Sequence, residues 1–152
     1  MSLLDLFITL HVAGAVCWVG GGTLAHVQSS IVFRGTNQER TAGMVETMAA
    51  LGPRFFIPAE LLTIVFGIAT LIKADIAFGQ LWVIAGLSIF IISMAIGGAI
   101  FGPSFERLVK LDESGEHGST EYNELLARLM TIMRVDMLLL WAAVAFMVIR
   151  PG

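Results

Sequence analysis

Five ionisable side chains sit in stretches that are otherwise almost wholly apolar: His11, His26, Glu60, Arg134 and Asp136. Each has a distinct chemical capacity. A neutral imidazole ligates haem iron or a transition metal. A buried carboxyl holds or passes a proton, and a guanidinium forks onto a carboxylate. His11 and His26 are fifteen residues apart, which on one helix is about 22 Å of rise and about 60° of rotation, so they cannot share a metal ion. The third histidine, His117, lies in Ser114-Gly115-Glu116-His117-Gly118 and reads as solvated. A haem would therefore take His11 or His26 with a non-histidine second ligand, or a histidine from a second copy of the chain.

The charged residues need partners, because an unpaired charge at membrane depth costs about 2.5–3.5 kcal/mol even on insertion scales. Arg134 and Asp136 are two residues apart, about 200° around a helix, so each must reach another segment. The expected pairs are Arg134 with Glu60 and Asp136 with His26, the reverse assignment remaining open. Such a cluster is either a salt-bridge lock between helices or a site for a substrate, a proton or a porphyrin carboxylate. Along the first apolar stretch His11, Gly14, Trp18, Gly21 or Gly22, Ala25 and Ser29 share one stripe, whose small residues admit a neighbouring helix or a flat ligand. Met133 and Met137 have a spacing that suits Cu(I), although methionine is as readily a packing residue. The lone cysteine, Cys17, has no intramolecular disulfide partner.

The elements that carry these groups follow from composition. The chain has 152 residues, 57% hydrophobic and 14% charged, with a mean hydropathy of +0.85; a soluble domain carries about 25% charged residues. No Asp, Glu, Lys or Arg occurs from Leu6 to Phe33 or from Ile76 to Phe105, and each run exceeds the ~20 residues that cross a bilayer. The expected fold is all-α, an integral membrane four-helix bundle forming one transmembrane domain over residues 1–152. Its spans are expected at about 4–33, 55–72, 81–105 and 129–149, with no room for a separate extramembrane domain. Gly102-Pro103 is expected to bend or end the third span. Between the first two spans, Thr36 and Glu39 form a capping-box pattern, and Met44, Val45, Met48 and Leu51 recur at helical spacing. They predict a short interfacial amphipathic helix ending at Gly52-Pro53. A new helix is expected near Ser119 or Thr120, so that spans three and four project a turn or two beyond the membrane.

The first and third loops carry Arg34, Arg40, Arg54, Arg107, Lys110 and Arg128, against Lys73 and Arg150 on the other side. This bias puts those loops in the cytoplasm and both termini outside, in the cell's inner (plasma) membrane. The net charge of −3 gives no field for nucleic acid. Membrane lipid is the expected partner, and the small-residue faces allow a homodimer that would bring two copies of His11 together.

His11-x6-Trp18-x2-Gly21, Pro58 through Gly67 (Pro-Ala-Glu-Leu-Leu-Thr-Ile-Val-Phe-Gly), and Arg134 with the ending Met147-Val-Ile-Arg150-Pro151 together resemble the CopD/HemJ group of small four-helix membrane proteins, over nearly the whole chain and closest to its members of unknown function. The HemJ type is a protoporphyrinogen oxidase that binds haem b through the span-one histidine, so the resemblance implies His11 as axial ligand, with Trp18, Gly21 and Arg134 around the cofactor. That family also has a lysine in span three; here Gly86 stands near its position, after Trp82. CopD-type proteins are associated with copper uptake. Three functions follow as expectations: a haem- or metal-binding redox protein built on His11, a small transporter sensitive to Glu60 and Arg134, and a structural or assembly subunit without a cofactor.

Overall fold

The computed structural model describes residues 2–151. Four long helices account for nearly all of them, and there is no strand among the described residues: α1 (Leu3–Val32), α2 (Gln38–Lys73), α3 (Leu81–Glu113) and α4 (Thr120–Ile149). All four are long and apolar enough to cross a membrane. Side chains set their starts. Ser2 and Asp5 form a reciprocal capping box at α1. Asn37, rather than the expected Thr36, caps α2 by accepting from the Arg40 amide at 2.9 Å. Ser119 caps α4 through the Tyr122 amide at 3.1 Å. The α3–α4 turn uses two left-handed glycines, Gly115 and Gly118 (φ +77° and +76°), a conformation costly for any residue with a Cβ.

Leu24, Ile31, Leu61, Val65, Ile91, Leu138 and Val148 are all exposed. In water such a girdle would be unstable; in a bilayer it is the solvated face.

Three π-helical turns interrupt the helices, at Val16–Gly20, Gly52–Phe56 and Gly97–Phe101. The α-helical segment between the first two spans ends at Leu51, with Gly52 as its cap, as expected, but a π turn joins it to span two without a break. Of the bend or end expected at Gly102-Pro103, the end is not found: the helix runs on to Glu113. A proline inside an α-helix clashes with the carbonyl four residues back. For Pro58 that carbonyl belongs to Arg54, for Pro103 to Ala99, and both lie inside a π turn, where the wider backbone removes the clash and the helix continues.

The helices are longer than a bilayer requires. At 30 to 36 residues they are about 45–54 Å long, against a hydrocarbon core of about 30 Å. The surplus is gathered at one end, where the first part of α2, the last part of α3 and the first part of α4 pack around Val45, Met48, Phe105, Leu108, Leu111, Tyr122 and Leu129. The segment expected at the interface is helical from Gln38 to Leu51, and its Val45 and Met48 find apolar partners on α3 and α4. This knob carries most of the chain's charged residues on its outside and is a larger projection than a turn or two.

Candidate functional site

At the opposite end from the knob all four helices line a cavity of about 820 Å³, within the size range of small-molecule and cofactor sites. Its walls are almost entirely apolar. His11 and Trp18 come from α1, Thr63 and Gly67 from α2, Trp82 and Gly86 from α3, and Trp141, Met147 and Arg150 from the end of α4.

His11 is positioned by close helix contact. Gly14, one turn below it, lets α1 lie directly on α2: a Cβ there would fall 2.7 Å from Thr63 Oγ1 and 2.8 Å from the Thr63 amide nitrogen. Gly67 makes room for the imidazole itself, since its Cβ would sit 2.9 Å from His11 Nδ1. The ring is held by a 2.8 Å hydrogen bond between Nδ1 and the Thr63 carbonyl. A carbonyl only accepts, so Nδ1 carries the proton and Nε2 keeps the lone pair. Backbone fixing of one ring nitrogen, with the other left basic, is how metal-ligating histidines are oriented. Among the described residues Nε2 has no hydrogen-bond partner. The Thr63 and Thr70 hydroxyls bond the Ala59 and Phe66 carbonyls of their own helix and add no free polarity.

The cavity floor is Trp18, Phe90 and Leu140, with Val19 and Ala59; the Trp18 and Phe90 rings meet edge to face at 5.3 Å. One helical turn beneath it lies a polar layer. Asp136 is four residues from Leu140, Ser93 three from Phe90, and Glu60 three from Thr63. Ser93 Oγ donates to Asp136 Oδ1 at 2.5 Å, and the Glu60 carboxyl lies over Gly97, within electrostatic reach of Asp136.

The expected ion pairs are therefore not formed. Asp136 is satisfied by Ser93 instead of His26. Arg134 is exposed and, among the described residues, makes no ion pair with Glu60; its electrostatic neighbour is His26. The reason is rotational. Facing Asp136 into the bundle turns Arg134, about 200° away on the same helix, outward. Among the described residues His26 Nδ1 and Ser29 Oγ are buried and have no partner.

Of the proposed cofactor contacts, His11 and Trp18 share the cavity. Gly21 instead accommodates Phe55, whose Cε1 would be 2.7 Å from a Cβ there, and Arg134 lies on the far side of the floor. The space over Gly86 is taken by Met147, whose Cε would be 2.4 Å from a Cβ there. Among the described residues no group of three His, Cys, Asp or Glu side chains could hold a metal ion. Two features escaped the sequence. Arg150 enters the cavity wall because the last turn of α4 lies beside the first turn of α3. His117 is only partly exposed, bonded to Asp112 and packed at a tilt against Tyr122, with ring centroids 4.5 Å apart. Only the short Asp112–His117–Tyr122 spacing could have hinted at the latter.

Fold and cavity together define an integral membrane four-helix protein with an apolar intramembrane pocket. The chain belongs to the family described as predicted integral membrane protein (DUF2269), whose model matches residues 5–151. No curated protein and no solved structure matches it.

Proposed function

We propose that this protein binds haem b in the cavity, where His11 would be the residue that holds the iron. The observation that carries the reading is the fixed tautomer of His11: Nδ1 is committed to the Thr63 carbonyl, and Nε2 is left as a lone-pair donor on a residue lining an 820 Å³ apolar space. Bound haem would supply one-electron chemistry. The chain's own contributions are the imidazole, a dry wall of aliphatic and aromatic side chains, and the Trp18–Phe90–Leu140 floor that separates the ligand from the carboxyl groups of Glu60 and Asp136. The resemblance to the CopD/HemJ group favours the same histidine. Under this reading the knob is cytoplasmic and the cavity opens toward the outer leaflet of the plasma membrane, as the six basic residues of the first and third loops against two elsewhere suggest.

Absorption spectroscopy with metal analysis of protein purified in mild detergent tests the proposal. A Soret band is expected in the wild type, lost in His11→Ala and kept in Glu60→Gln. A featureless spectrum from haem-replete cells, unchanged by added hemin, would overturn it. The Glu60–Asp136 carboxyl pair favours a second reading, a small transporter, which expects substrate flux sensitive to Glu60 and no dependence of any spectrum on His11.

A further inference from the structure

We infer that Arg150 anchors an anionic group, a carboxylate or phosphate, on the molecule that occupies the cavity. The occupant would then be an amphiphile with an apolar body and one acidic edge. The inference rests on the cavity being a ligand site, as proposed above, but not on the ligand being haem.

Among the described residues Arg150 is the only charged one that lines the cavity. It closes α4 in a left-handed conformation (φ 49°, ψ 56°), with its amide donating to the Phe146 carbonyl at 2.9 Å. A residue with a Cβ is uncommon in this region. Here the conformation turns the chain at the helix end and brings the guanidinium over Trp82, with Cζ 5.4 Å from the ring centroid. The platform is itself fixed: Trp82 is 7% exposed, and its Nε1 donates to Gln80 Oε1 at 2.5 Å. A cation–π contact of this kind leaves the N–H donors that do not face the ring free to fork onto an anion.

Among the described residues Arg150 makes no ion pair and no side-chain hydrogen bond. Asp5, at the same end of the bundle, is engaged by the Ser2 cap. Among the described residues no carboxylate lines the cavity, so an acidic group is complementary to it and a cationic head is not. Two ligand sources share this chemistry: a porphyrin, through its propionates, and a membrane lipid, through a fatty-acid carboxylate.

Paired probes separate them. Protoporphyrin IX and its dimethyl ester, and the fluorescent fatty acid cis-parinaric acid and its methyl ester, are titrated into detergent-solubilised wild type, Arg150→Ala, Arg150→Lys and His11→Ala. Thermal melts confirm that each variant is folded, as expected for substitutions at an exposed helix end or in a cavity wall. The acid should bind at least ~10-fold more tightly than its ester to the wild type. Arg150→Ala should abolish that ratio, Arg150→Lys should retain part of it, and His11→Ala should leave it intact. Porphyrins that bind without an acid preference, or a preference that survives in Arg150→Ala, overturn the inference and leave the haem reading standing. An Arg150-dependent preference seen only with parinaric acid supports the inference and overturns the haem reading. Failure of every probe to bind a folded wild type overturns both.

Discussion

Gly14 and Gly43 are both helical glycines, yet the atoms around them dictate opposite responses to a methyl group. At Gly14 a Cβ would meet the Thr63 amide nitrogen and the Ala59 carbonyl oxygen as well as a side chain. Backbone cannot step aside, so α1 and α2 must separate. Gly14→Ala is expected to destabilise the protein by about 1–3 kcal/mol, as overpacking does, and to release the His11–Thr63 contact one turn away. Gly43 has nothing within 4 Å, and Gly43→Ala should stabilise the knob by about 0.5–1 kcal/mol through helix propensity alone. Thermal melts of the two variants in one detergent test the pair; equal effects would contradict the close α1–α2 contact. The importance of Gly14 was legible in the sequence, since it shares a helical stripe with His11 and Trp18. The polar partners were not. Rotation along α4 showed that Arg134 and Asp136 diverge, but which of them faces inward depended on Ser93, a residue whose hydroxyl could equally have bonded its own helix.

The elements were legible as apolar runs and misread at their ends. Periodicity locates a span, but it cannot show whether a proline terminates a helix or is absorbed by a π turn, because that depends on whether the flanking segment has a packing partner. For α3 the partner is the knob, which rewards continuing the helix past Pro103. A π turn is equivalent to one inserted residue in an α-helix, so deleting Ala99 removes the bulge while preserving the faces on either side. The ring of Pro103 would then meet an α-helical carbonyl, at a cost of about 3 kcal/mol. Deletion of Ala99 alone is expected to destabilise the protein strongly, and deletion combined with Pro103→Ala should recover most of the loss. If the double variant melts no higher than the single one, the π turn does not exist to house the proline.

Across the whole molecule, the most completely buried large side chains concentrate in the knob, including Tyr122, Leu108, Leu111, Leu129 and Val45, while the opposite half of the bundle encloses the cavity. Leu108→Ala should cost about 2–5 kcal/mol and expose the 114–118 turn to proteolysis, with ligand-free spectra of the membrane half little changed. Loss of helix content throughout would show instead that the two halves unfold as one. The apolar cavity wall, bounded by Val12, Val16 and Val148 on lipid-facing helices, also sets the currency in which occupancy is measured. A hydrophobic guest dissolves in the bilayer before it meets the protein, so occupancy follows its mole fraction among lipids rather than its aqueous concentration. Diluting a fixed amount of protein and guest with extra detergent or lipid should therefore empty the pocket, even when the volume of buffer is held constant.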